Sequence, residues 1–280
     1  GVSLVGNPTG LGIIINSRDG GPVEFRDARK MPKANIENLQ FVFINSAATR
    51  VELHSAINGQ DLSPIVDCLG LLPGTDLDGD GLTDDLTAFF SAGPVTSFTA
   101  RDSVGEIAGD VVIRGADPFG FAVQKFSLQN VTIGADADVV LPDGGINKYS
   151  HKVGDFNGDL VVGGPIASFS MSPGDFAGRM FVDDILKGKF GGPVTGDITF
   201  LGNFTGNVAT GGSVFGGNVT VLGDFLGFLG GKKTPNGPST LFLTSGQTFN
   251  GFVSRLPAGF INVTGEDLFF GGAFAVIVGV

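Results

Sequence analysis

The sequence predicts an all-β fold, a parallel β-helix or solenoid with rungs of about 20 residues, on three observations. Apolar-x-apolar triplets recur at a nearly constant interval. Gly followed by Asp or Asn recurs in phase just ahead of them. The composition, with 47 Gly, 26 Phe and only 16% charged residues, suits short strands and tight turns rather than helices or a disordered acidic chain.

The triplets begin at Val111, Val131, Leu160, Met180, Ile198, Val219, Leu241 and Ile261, at intervals of 20, 29, 20, 18, 21, 22 and 20. The long interval reads as an inserted loop over "GADADVVLPDGGINKYSHKVGDFNG". Gly109-Asp110, Gly158-Asp159, Gly196-Asp197 and Gly217-Asn218 precede triplets, and Gly115, Gly163, Gly202 and Gly223 follow them. Phe169, Phe204, Phe225 and Phe269 add a second apolar position, and "GPVTSFTA" (93–100) pairs with "GPIASFSM" (164–171). In a strand, alternate side chains face opposite ways. Val111 with Ile113, and Ile198 with Phe200, are therefore expected inside, with Thr132, Thr199, Thr220 and Asn262 outside. Gly and Asp or Asn at the corners are expected to supply unusual backbone angles.

Other repeats fit less well. A leucine-rich repeat needs a Leu/Asn ladder that is missing, and two-helix repeats tolerate this much Gly poorly. The alternative is an antiparallel β-sandwich, since two hairpin strands also sum to about 20 residues. Corner residues recurring in phase favour the solenoid.

Residues 1–92 lack the period and are expected to form an irregular, β-rich capping or joining segment, with the solenoid over 93–280. Strand-like runs occur at Gly12–Ile15, Val23–Phe25, Phe41–Ile44 and Val51–Leu53, and "LSPIVDCLGLLPG" reads as a short helix. Solenoid ends need such caps because an open β-edge invites pairing. The apolar termini, "GVSLVG" and "AFAVIVGV", read as strands in need of partners, and a terminal strand donated to the next subunit would hide both. Val112, Val161, Phe181 and Phe242, apolar at outward triplet positions, need a cover as well.

The chemically explicit stretch is "DLDGDGLTDD" (76–85). Asp76, Asp78 and Asp80 alternate, Gly81 allows a sharp turn, and the Leu82 carbonyl and Asp84 complete a set of hard oxygen donors suited to Ca2+. Thr87 stands where an EF-hand has its bidentate Glu. Asp155, Asn157 and Asp159 look like a shortened relative of this set. Asp110, Asp159 and Asp197 occupy like corner positions, with Arg179 and Asn218 in register. Two carboxylates would suffice for acid–base chemistry on a polysaccharide, but turn formation accounts for them equally. Neither His54 nor His151 has a partner pattern. Cys68 is alone, so no intrachain disulfide forms, and it reads as a small buried apolar residue. Four sequons, at Asn130, Asn203, Asn218 and Asn262, also follow from corner Asn and strand Thr.

The net charge of -11, with 17 Lys and Arg that form no basic stripe, argues against nucleic acid. The apolar C-terminal run is shorter than the roughly 20 residues of a spanning helix. Scarce Tyr and Trp count against sugar stacking.

The Asp76 stretch resembles the thrombospondin type-3-like calcium motif, matched at Asp76, Asp78, Asp80, Gly81 and Asp84. With the Gly-[Asp/Asn]-apolar-x-apolar rungs, the chain resembles exported bacterial Gly-rich β-solenoid surface proteins. The resemblance implies a structural Ca2+, an extracellular or cell-surface location after removal of an export signal, and a non-catalytic protein. It is expected to assemble with its own copies into a fibre or surface layer, with glycans as the other candidate partner. A polysaccharide-acting β-helix enzyme or a glycan-binding adhesin is the alternative.

Overall fold

The computed structural model describes residues 11–17, 21–26, 39–61, 86–101, 104–211, 217–231, 241–245, 252–254 and 261–264. Its strands, numbered in chain order, stack into two long ladders. The first is a 12-stranded sheet. It runs β1 (Leu11–Ile15), β3 (Leu39–Ile44), β6 (Leu86–Ser91), β9 (Asp110–Ile113), β12 (Val139–Leu141), β14 (Leu160–Val162), β16 (Met180–Val182), β18 (Ile198–Phe200), β20 (Asn218–Val221), β22 (Leu241–Ser245) and β24 (Ile261–Thr264). The short β5 (Gln60–Asp61) joins β6 antiparallel.

The second is a 10-stranded sheet of β2 (Val23–Arg26), β4 (Ala48–Leu53), β7 (Val95–Ala100), β10 (Phe121–Gln129), β13 (Gly145–Lys152), β15 (Ile166–Met171), β17 (Lys187–Phe190), β19 (Asn207–Thr210), β21 (Phe228–Gly231) and β23 (Phe252–Ser254). Its pairs are parallel throughout. A narrow third side comprises β8 (Gly105–Ile107) beside β11 (Val131–Ile133), then single parallel bridges Ile133–Phe156, Phe156–Phe176 and Phe176–Val194. Successive turns laid side by side in parallel make a β-solenoid and exclude the antiparallel sandwich.

The strands before residue 92 belong to both ladders, so what changes there is rung length while the hydrogen-bonded ladders run through. The short helix expected near Pro64 lies outside the described residues.

The triplet pattern holds in β14, β16 and β18, where the first and third side chains are buried and the middle one is partly exposed. One triplet was out of phase. Val131–Ile133 is on the third side, and the rung that continues the first sheet is Val139–Leu141. The expected inserted loop is therefore mostly structure, carrying β12, β13 and the Phe156 bridge. An apolar-x-apolar triplet looks the same on any side of the prism, so spacing alone could not assign its side.

Phe fills the interior. Phe98, Phe126, Tyr149 and Phe169 stack face to face along the second sheet, with centroids 4.7, 5.5 and 4.8 Å apart, and Phe190 continues at 4.7 Å. Rings at rung spacing exchange water contact for offset stacking, worth about 0.5–1.5 kcal/mol per pair beyond area burial. The expected need for cover on the other face of the first sheet is met near its start. Phe41, Phe43, Phe90, Val112 and Val140 form a separate buried cluster, with Phe43 and Phe90 stacked at 4.9 Å.

Gly115 has the positive φ expected of a corner glycine, at 72°, but the glycines ahead of the rungs have a different reason. Gly158, Gly178, Gly196 and Gly217 do not adopt positive φ. A Cβ on Gly178 would lie 1.6 Å from the Gly158 carbonyl oxygen, on Gly196 1.7 Å from that of Gly178, and on Gly217 1.8 Å from that of Gly196. Glycine is required there because each rung's backbone presses onto the one before it.

Candidate functional site: corner carboxylates and the lysine face

Immediately after that glycine column comes the acid column. The Asp110 carboxylate accepts the Asp138 N–H at 2.8 Å, Asp138 accepts that of Asp159 at 2.6 Å, and Asp159 that of Arg179 at 2.9 Å. Asp197 accepts both the Asn218 N–H (2.8 Å) and its Nδ2 (3.0 Å). The register inferred for Asp110, Asp159, Asp197, Arg179 and Asn218 is thus real, with Asp138 as the member that the misplaced triplet concealed. The Arg179 guanidinium pairs with Asp159 and lies 5.7 Å from the Phe181 ring centroid. Each oxygen used this way satisfies a backbone donor at a turn, so the column ties rung to rung.

Asp155 works likewise, accepting the Asp175 N–H at 2.9 Å. Asp159 is also paired with Arg179, so both carboxylates of the shortened Asp155–Asn157–Asp159 set make corner contacts. Among the described residues no three His, Cys, Asp or Glu side chains converge to hold a metal. Asp76, Asp78, Asp80, Leu82 and Asp84 lie outside the described residues, as does Cys68. Asn203 accepts the Asp224 N–H at 2.8 Å, so two of the sequon asparagines, Asn203 and Asn218, serve the corners.

Both histidines have partners. His151 is buried in the core, with Nε2 2.7 Å from the Val131 carbonyl and Nδ1 3.5 Å from the Tyr149 hydroxyl. Burial lowers its pKa below 6.5, against the opposing pull of the Val131 carbonyl and the Asp155 charge. His54 lies 2.9 Å from Glu52, whose other oxygen takes Arg50 at 2.5 Å and Arg26 at 3.3 Å, with Arg101 3.7 Å away. Burial would raise the Glu52 pKa, but the His54 and Arg50 hydrogen bonds and charges prevail and hold it at about 2.

The outer face of the second sheet is what sequence reasoning missed. Lys125 is registered with Lys148, and Lys148 with Ser168. In the neighbouring column Ser127, Ser150, Ser170 and Lys189 follow one another. Lys187 pairs in register with Asn207. Lys125, Lys148, Lys152, Lys187 and Lys189 are all exposed, and they are all the lysines among the described residues. No Asp or Glu occurs in β7, β10, β13, β15, β17 or β19. Ion pairs among the described residues are made by Arg and His. A basic stripe therefore exists across the rungs, contrary to the expectation that the cations form none. The signal was available as outward strand positions about one rung apart, Lys125 and Lys148.

A groove lined by Leu186, Lys187, Gly188, Lys189, Asn207 and Ala209 lies at one end of this face. The face carries hydroxyls and ammonium groups, the aromatic side chains of its strands from β7 to β19 are buried except for Phe121, partly exposed at the start of β10, and Phe119, 80% exposed, is the one large aromatic standing free among the described residues. Among those residues no helix is long and apolar enough to cross a membrane. Comparison with known protein families, curated proteins and solved structures gives no match.

Proposed function

We propose that this chain is a non-catalytic structural β-solenoid of the cell exterior that assembles end to end with its own copies into a fibre or layer, with calcium steadying its N-terminal part. The observation that carries this reading is the unbroken parallel stacking. One rung's upper backbone edge complements the lower edge of the next, and the Asp and Gly columns repeat that complementarity. At the far end, β24 and β23 each have a described neighbour on one side only. A second copy offers that edge the same hydrogen-bond spacing that every internal rung uses, and open edges pair readily.

Engagement of the corner carboxylates by rung N–H groups supports a structural rather than an acid–base role for them. The alternating carboxylates and the Leu82 carbonyl of the Asp76 stretch are hard oxygen donors of the kind Ca2+ takes, with Gly81 for the turn, and they support the calcium part. The test is electron microscopy of the purified chain over a range of concentrations, with and without a calcium chelator. Filaments or sheets that thin out with chelator are expected. Monodisperse single particles at the highest concentration would overturn the assembly reading.

A further inference from the structure

Going beyond self-assembly, we infer that the outer face of the second sheet is a binding platform for a linear acidic polysaccharide. Five lysines are gathered there in a protein whose net charge is -11. Chance placement on so acidic a surface would scatter them among carboxylates, yet the second-sheet strands β7, β10, β13, β15, β17 and β19 contain none. Lys125 and Lys148 are directly registered on adjacent strands, an arrangement of like charges that weakens a sheet. Such a pair is relieved by an anion lying across both. Asp117, at the corner before β10, is engaged by the Phe119 and Phe121 N–H groups and by Gln124, and that amide is bonded in turn by Asn147 at 2.7 Å.

Geometry selects the kind of anion. Parallel rungs set charges and hydroxyls about 4.8 Å apart along the stack, close to the rise of one sugar residue in an extended chain. Ser127, Ser150 and Ser170 form a continuous hydroxyl column beside the lysines, suited to hydroxyl-rich partners. The four-residue strands β17 and β19 make the face only about 13 Å wide there. A thin chain fits within it, and acids beyond its borders are screened over roughly 8–10 Å. A nucleic-acid duplex would overhang onto those acids, and a single strand would find no aromatic shelf for its bases.

The experiment measures binding of the full chain to polygalacturonate, with heparin, dextran, and single- and double-stranded DNA as comparison ligands, from low to physiological salt. Polygalacturonate or heparin is expected to bind, dextran not, and the two acidic glycans separate carboxylate from sulfate preference. The variant Lys125→Gln/Lys148→Gln/Lys187→Gln/Lys189→Gln should weaken binding about tenfold or more, while Arg179→Gln, off the face, should not. Should the quadruple variant misfold, Lys148→Gln and Lys187→Gln singly should each lower the salt slope by about one. No binding to either acidic glycan at low salt, equal loss with Arg179→Gln, unchanged slopes, or tighter binding to DNA would overturn the inference. Monomeric protein serves equally well, so failure here is distinct from failure to assemble.

Discussion

Replacing Gly178 by Ala tests the corner geometry most sharply. The new Cβ would sit 1.6 Å from the Gly158 oxygen and 2.6 Å from its carbonyl carbon. Reaching even a tight contact of 3.0 Å requires a shift of roughly 1.4 Å between rungs that are about 4.8 Å apart. Both obstructing atoms are backbone, so no side chain can rotate away. The same movement stretches the Ala177 and Gly178 N–H bonds to the Phe156 carbonyl, now 2.9 and 3.2 Å. Overpacking costs about 1–3 kcal/mol when side chains can adjust; here about 3 kcal/mol or more is expected, a fall in Tm on the order of 6–12 °C. Gly21→Ala is the control, because a Cβ there meets nothing within 4 Å and a shorter list of unfolded conformers makes it neutral or slightly stabilising. Thermal and urea melts of both variants decide it. A Gly178→Ala protein within about 0.5 kcal/mol of wild type would refute the close-approach explanation.

Other perturbations have equally definite outcomes. The unfolded chain takes up a proton at His151 near pH 6.5 while the folded one resists it. The neutral imidazole's contribution is therefore full above pH 6.5 and lost as pH falls below it, and urea melts of His151→Gln should show a shallower loss between about pH 7 and 5. Glu52 has the same sign at lower pH: its stabilisation is present above pH 4.5 and lost as pH falls toward 2, and Glu52→Gln should cost about 2 kcal/mol at neutral pH after screening of the exposed arginines. Val153, β-branched and 47% exposed at φ 59°, carries left-handed strain, so Val153→Gly should raise stability by about 1 kcal/mol. Asp78→Ala with Asp80→Ala should lower Tm in calcium and abolish the effect of chelator on the melt; an unchanged melt in calcium would leave only a turn.

Much of the fold was legible because alternation within strands and a recurring corner are both one-dimensional signals. Ile198, Phe200, Val111 and Ile113 could be placed inside from alternation alone, and Asp110, Asp159 and Asp197 could be aligned from their place after Gly. Val131 was misassigned because a triplet records alternation and not which side of the prism it lies on. That error hid Asp138 and turned a complete rung into a loop. The reason for the corner glycines was invisible, since positive φ and close backbone approach both favour Gly. The lysine face was missed for a related cause: Lys125, Lys148 and Lys187 are far apart along the chain and adjacent only after it has wound.

Diffraction from aligned assemblies, or their reconstruction by electron microscopy, tests the central claim most directly. End-to-end stacking of solenoids predicts filaments one molecule wide, with the strand repeat of about 4.8 Å running parallel to the long axis across the subunit junctions. A repeat perpendicular to that axis, or particles that remain single at every concentration, would contradict it.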